Sequence, residues 1–186
     1  MIAISLKKSK PYVEKKIQAS LSGKDLPDSI TIGVGIYDED TLKPLREEYN
    51  EALDYVNLLR LMNQLKELPS NMRLSDDEFK AEKDRINHDL KVLNEEQIAY
   101  QEAFLKKHIL FIKNITLDVT EEGKTSKVII DTRDVKPFES LWDTPEQALV
   151  VLLELYLKEP AYRDSLFKVV PKLVFGTDFE EKKLGN

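Results

Sequence analysis

Apolar and polar residues alternate through the first part of the chain. Ile2, Ile4 and Leu6 share one parity, and after a turn at Lys8–Pro11 so do Val13, Ile17, Ala19 and Leu21. A third alternation runs through Ile30, Ile32, Val34 and Ile36, with Gly33 and Gly35 on its other face. A period of two is that of half-buried antiparallel strands, so strands are expected near residues 2–7, 12–21 and 30–37. Ser22–Asp25 and Pro27–Asp28 carry turn chemistry. Gly33-x-Gly35 lacks the rest of a dinucleotide fingerprint and marks a bulge or a close backbone approach.

At Asp38–Thr41 the period changes. Leu42, Leu45, Tyr49, Ala52, Val56 and Leu59 follow a 3–4 spacing, the seam of a long helix. A second stripe, Leu58, Leu61, Leu65 and Leu68, appears in its last turns, and Leu68–Pro69 stops it. Ser75–Glu78 is a capping box. It opens a helix whose seam is Phe79, Ile86, Leu90, Leu93, Tyr100 and Phe104, interrupted by Lys83 and Gln97. Two such helices joined by a short loop predict an antiparallel hairpin. At ~1.5 Å per residue each arm reaches about 40–50 Å, so part of the hairpin is expected to protrude or to meet another subunit.

The alternation then returns. Leu110, Ile112, Ile115, Leu117 and Val119 change parity between Ile112 and Ile115, which predicts a bulge or a late strand start near Lys113–Asn114. Strands are expected at 110–119 and 126–131. Thr144–Gln147 is a second helix start, with a threonine cap and proline at the first helical position. That helix carries Leu149, Leu152, Leu153, Leu155 and Tyr156 and ends at Glu159–Pro160. A last helix carries Tyr162, Leu166, Val169, Val170, Leu173 and Val174. Pro171 is expected to kink or shorten it, and Gly176 to cap it.

The resulting expectation is an α+β fold. An antiparallel sheet of about five strands holds an inserted helical hairpin at 41–108, and a C-terminal helix pair covers one face. Residues 1–176 form one domain and 177–186 a polar tail. A separate N-terminal β-subdomain is the alternative.

Composition narrows the chemistry. With 186 residues, a 41% apolar fraction and a 33% charged fraction, a small core with heavily solvated helices is expected. A net charge of −6 speaks against a sequence-general nucleic-acid binder. There is no cysteine, hence no disulfide, thiolate metal site or cysteine nucleophile. The opening residues have no signal-like apolar core, and no run approaches the ~20 apolar residues of a membrane span. A chain made in the cytoplasm is expected.

Catalytic, cofactor and metal sites are all expected to be absent. His88 lies on a charged helix and His108 at a helix end, where the dipole favours an imidazolium. The acids at Asp38–Asp40 and Asp76–Glu78 sit where helices start and read as caps. Nucleophile elbow, Walker loop and S-x-x-K sets are missing. Asp131–Asp134 is either an anion clamp or a turn in which Arg133 pairs with Asp131 or Asp134. The residues singled out for protein interaction are Phe138, Trp142, Tyr156, Tyr162, Leu58, Leu61, Leu65 and Leu68. Trp142, the only tryptophan, anchors its loop on the core or serves as an exposed binding anchor.

Over about residues 105–175 the order of elements runs strand, E-x-G turn, strand, a linker with Phe138 and Trp142, then the T-P-E-Q helix start and E-P-A-Y-R-D-S-L-F. This order resembles the tail assembly chaperones of long-tailed bacteriophages. A P-x-x-R-x-x-[LIF] flavour in the terminal helices is matched by Pro160, Arg163 and Leu166. The long hairpin departs from compact members of that family. The resemblance implies a non-enzymatic, self-associating protein of the host cytoplasm. It would coat the helical tape measure protein and keep it soluble before the tail tube polymerises. A phage-encoded inhibitor or DNA mimic acting on a host defence protein is the alternative.

Overall fold

A computed structural model describes residues 11–21, 24–68, 75–121, 124–134 and 142–176. The expected strand at 2–7, the residue Phe138 and the tail at 177–186 lie outside the described residues. The chain divides into two compact units. One takes the described residues up to Leu42 and those from Phe104 onward; the other takes Lys43–Ala103.

The first unit is α+β. Its four-stranded antiparallel sheet has the order β1 (Tyr12–Leu21), β2 (Lys24–Gly35), β3 (Ile109–Glu121) and β4 (Lys124–Asp131). The five-strand expectation thus becomes four among the described residues. β2 also starts earlier than expected: Pro27, read as a turn, falls inside it. The β1–β2 register shifts opposite this stretch, between Gln18 and Ser20, and a bulge is where a strand tolerates proline.

The parity change in β3 has the expected cause. Lys113 pairs with Asp131 and Ile115 with Ile130, so Asn114 is the extra residue. Its φ is 62°, a left-handed conformation asparagine adopts more readily than most residues. Its Nδ2 donates to Thr31 Oγ1 at 3.0 Å. The bulge lets Ile112 and Ile115 both turn inward, at 0% and 1% exposure.

With Ile17, Ile30, Ile32, Val34 and Ile130 they form the buried face of the sheet. Two helices, α4 (Pro145–Lys158) and α5 (Pro160–Phe175), cover it, α5 against β1 and β2 and α4 against β3. Thr144 caps α4, with Oγ1 accepting from the Gln147 amide at 3.1 Å. The Gln147 side chain reaches back to the Asp143 amide at 2.8 Å. The residue before Pro160 is held extended (Glu159, φ −90°, ψ 110°), which separates the helices. Of the two outcomes expected of Pro171, shortening does not occur: α5 runs on to Phe175 and ends at Gly176 with φ 99°. Burial of Leu166, Val170, Pro171 and Val174 on one side of α5 offsets the lost backbone bond.

The second unit is the helical hairpin, and its first arm differs from expectation. It is two helices, α1 (Glu39–Leu53) and α2 (Tyr55–Glu67), separated at Asp54. Asp38 starts α1 by accepting from the Thr41 amide at 2.9 Å, and this bonding holds its carboxyl below the usual range. The second arm is α3 (Asp76–His108), 33 residues long. Its capping box forms as expected: Glu78 Oε2 accepts from the Ser75 amide at 2.9 Å and from Ser75 Oγ at 2.7 Å.

The break at Asp54 follows from the two apolar stripes. One residue corresponds to about 100° around a helix. Continued along one helix, Leu58, Leu61, Leu65 and Leu68 would therefore sit about 180° from the seam of Leu45, Tyr49, Ala52, Val56 and Leu59. One straight helix cannot aim both stripes at α3. On one side of the break Tyr49 meets Tyr100 of α3 ring to ring at 5.9 Å. Leu61 and Leu68, with half-buried Leu58 and Leu65, pack on Ile86, Leu93, Phe79 and Leu90.

Candidate functional site

The predicted interaction residues are mostly taken up by the fold itself. Trp142 is 7% exposed and sits immediately before the α4 cap. Tyr162 is buried and Tyr156 half-buried. Their rings meet edge to face at 4.8 Å and clip the Glu159–Pro160 corner. Leu58, Leu61, Leu65 and Leu68 belong to the hairpin core.

Arg133 reads as the turn. Its guanidinium grips both Asp131 carboxylate oxygens, with Nη2 to Oδ2 at 2.6 Å and Nε to Oδ1 at 2.9 Å. It also lies 4.1 Å over the Phe111 ring. Burial pushes the Asp131 carboxyl up, but its hydrogen bonds from Arg133, with the charges of Arg133 and Lys113, together hold it below the usual range. The clip closes the outer face of the sheet rather than offering a free cation. Thr132, between them, is buried. Its Oγ1 accepts from the Ile112 amide at 3.0 Å while its own amide donates to the Ile112 carbonyl at 2.9 Å.

The histidines have different fates. His88 is exposed on α3. His108 is 1% exposed, with Nδ1 2.7 Å from Tyr37 Oη and its ring against Phe104 at 4.2 Å. Burial raises the Tyr37 phenol above its ordinary pKa. The pair joins the last turn of α3 to the segment after β2. Among the described residues, no group of three or more His, Asp or Glu side chains is placed to hold a metal ion. A cleft of about 640 Å³ lies in the hairpin unit, with Leu68 and Ile86 among its lining residues and Glu67, Glu78, Glu82 and Arg85 around them.

The surface that the sequence reading did not single out is on α4. From Ala148 to Leu157 every residue but Glu154 is apolar, so this helix is apolar all round. The sheet can bury only one side of it. Ala148, Leu152, Leu153 and Leu157 turn inward. Val150, Val151 and Leu155 stay in solvent at 45%, 38% and 53% exposure. They share one outer face because 151 and 155 are one turn apart, with 150 beside them. The rim is charged. Glu154 pairs with Lys106 of α3 at 2.9 Å, and the Lys106 bond and charge, with Lys158 nearby, hold its carboxyl below the usual range. The signal for this face was available in sequence as the absence of a polar side on the helix.

Compared with known protein families, curated proteins and solved structures, the chain matches none. Among the described residues no helix is long and apolar enough to cross a membrane.

Proposed function

We propose that this protein is a non-enzymatic assembly factor that binds amphipathic helices, and specifically a phage tail assembly chaperone. In this reading it self-associates in the host cytoplasm and keeps the tape measure protein soluble until the tail tube encloses it. The observation that carries the proposal is the outer face of α4. Val150, Val151 and Leu155 leave exposed apolar surface, with Glu154 set among them, against which the apolar stripe of a partner helix can pack. The net charge of −6 keeps many copies soluble while they cover an aggregation-prone client. The order of elements over residues 105–175 supplies the choice of client.

The DNA-mimic reading has less support. Acids on α3 are interspersed with bases, and Arg85 pairs with Glu82 at 2.6 Å and with Asp89 at 2.9 Å. Such a face does not imitate a row of phosphates.

Co-expression with the tape measure protein tests the proposal. The natural chain should hold the client in the soluble fraction and co-purify with it. The Val151→Glu/Leu155→Glu double variant should lose at least about tenfold in affinity, since it sets charge against an apolar stripe, while melting like the natural chain. Failure of the natural chain to bind, or undiminished binding by the variant, would sink it.

A further inference from the structure

We propose that two copies of this chain join along the free edge of β4, antiparallel and centred on Ile129, so that their two four-stranded sheets become one continuous sheet. This gives the self-association in the reading above a place, but its grounds lie in the sheet and not in the α4 face.

The two edges of the sheet are built differently. Strand order leaves β1 and β4 outermost. An edge strand carries unpaired N–H and C=O groups and recruits another strand unless charge, proline or cover blunts it. β1 is blunted: Glu14, Lys15 and Lys16 are consecutive and exposed, and α5 packs on it. β4 is not. From Thr125 to Ile130 it has no proline, and Lys127 is its only charge. Val128, Ile129 and Ile130 are all β-branched, the type that favours strands. Ile129 is 71% exposed, the most exposed large apolar side chain among the described residues of the sheet unit.

The ribbon that ends in β4 also lacks neighbours. β2 pairs with β3 only from Val34 opposite Ile109 to Thr31 opposite Lys113. Past the Asn114 bulge β3 and β4 go on together, from Ile115 opposite Ile130 to Glu121 opposite Lys124. Among the described residues this stretch is two-stranded. Two strands alone are marginal in water, and three or more make a stable sheet. A second copy's β4 and β3 supply the third and fourth.

The side chains select one register. A two-fold axis through the sheet sets residues of one face against each other. Centred on Ile129, it puts Ile129 against itself, Val128 against Ile130 of the second copy, and exposed Lys127 against Asp131 of the second copy. Centred on Lys127, it sets lysine against lysine. Centred on Val128, it sets Lys127 against Ile129, and centred on Ile130, Lys127 against Arg133. Only the Ile129 register matches opposite charges.

Sedimentation equilibrium and cysteine cross-linking test the interface. The natural chain should dimerise; a monomer at all concentrations overturns the proposal. Ile129→Lys places like charges on the axis and should weaken the dimer at least about tenfold, with an unchanged circular dichroism spectrum because the site is exposed. Val151→Glu/Leu155→Glu should leave the dimer intact. A dimer lost in the α4 variant and kept in Ile129→Lys overturns the β4 interface. The chain has no cysteine, so single cysteines report the register. Directly opposed residues stand about 4.5–5.5 Å apart, within disulfide range, so Ile129→Cys should link into a covalent dimer on mild oxidation. Lys127 and its own copy are four residues out of step, about 13 Å, so Lys127→Cys should not. Equal linking of both variants, or of neither, overturns the register. A dimer that behaves as stated but fails to bind the tape measure protein refutes the helix-binding reading and leaves this interface standing.

Discussion

Replacing Gly33 by alanine should destabilise the sheet unit by about 2–4 kcal/mol, and the cause is one aromatic ring. A Cβ built on Gly33 would stand 2.1 Å from Phe111 Cε1 and 2.3 Å from Cζ, where ordinary contact begins at 3.4 Å. The ring cannot simply retreat. Tyr12 meets it edge-on at 5.0 Å, and the Arg133 guanidinium, itself clipped to Asp131, lies over its face at 4.1 Å. Forcing a side chain about 30° off its rotamer costs roughly 0.5–1.5 kcal/mol. Overpacking a tight site costs roughly 1–3 kcal/mol, and together these give the stated range. For a chain of this size a loss of about 2 kcal/mol lowers Tm by about 4–8 °C. Urea unfolding followed by fluorescence is the assay, because Trp142 is the only tryptophan and lies in the same unit as Gly33. The double variant Gly33→Ala/Phe111→Ala makes the test specific. With the ring gone the added methyl has room, so the double should cost little more than Phe111→Ala alone, a coupling of about 2 kcal/mol. A Gly33→Ala chain within about 0.5 kcal/mol of the natural one, or losses that simply add, would refute the argument.

Two further outcomes are expected. Gln97 is 7% exposed at a seam position of α3, and among the described residues its Nε2 has no hydrogen-bond partner. Gln97→Leu should therefore raise hairpin stability by about 1–2 kcal/mol, read by urea unfolding with circular dichroism; a loss of stability would show that the amide is satisfied. The depressed Asp131 carboxyl contributes stability that is full above the ordinary carboxylate pKa and is lost as pH falls through its lowered folded value. The natural chain should thus lose Tm more steeply than Asp131→Asn on the acid side, and parallel curves would refute the clip as the cause.

Much of the fold was legible because its signals are local. The 113–114 bulge showed as a parity slip, both capping boxes as four-residue motifs, and Glu159–Pro160 as a stop. The close approach at Gly33 was one of two readings of a strand glycine, but only the structure names Phe111 as the neighbour. The Asp54 break was missed because each stripe read separately gives an unbroken helix. Their offset has a consequence only once both must face the same partner. The outer face of α4 was missed for a related reason. Burial was assigned from apolar character, and Val150, Val151 and Leu155 look like core until the sheet is seen to occupy only the other side of α4. Leu58, Leu61, Leu65 and Leu68, read from sequence as interaction residues, pack against α3 within the arm.

The helical arm leaves and re-enters the sheet between neighbouring strands: Val34 of β2 pairs with Ile109 of β3. To the sheet, therefore, the arm is topologically a very long hairpin loop, and closing a loop depends only weakly on its length. Its two roots belong to the sheet unit, where Tyr37, Phe104 and His108 are packed together. Everything from Lys43 to Ala103 is thus an exchangeable cassette. Shortening it by whole helical turns, or replacing it with a glycine–serine bridge, should leave strand pairing intact, which makes reach a quantity that can be varied independently of the scaffold that carries it.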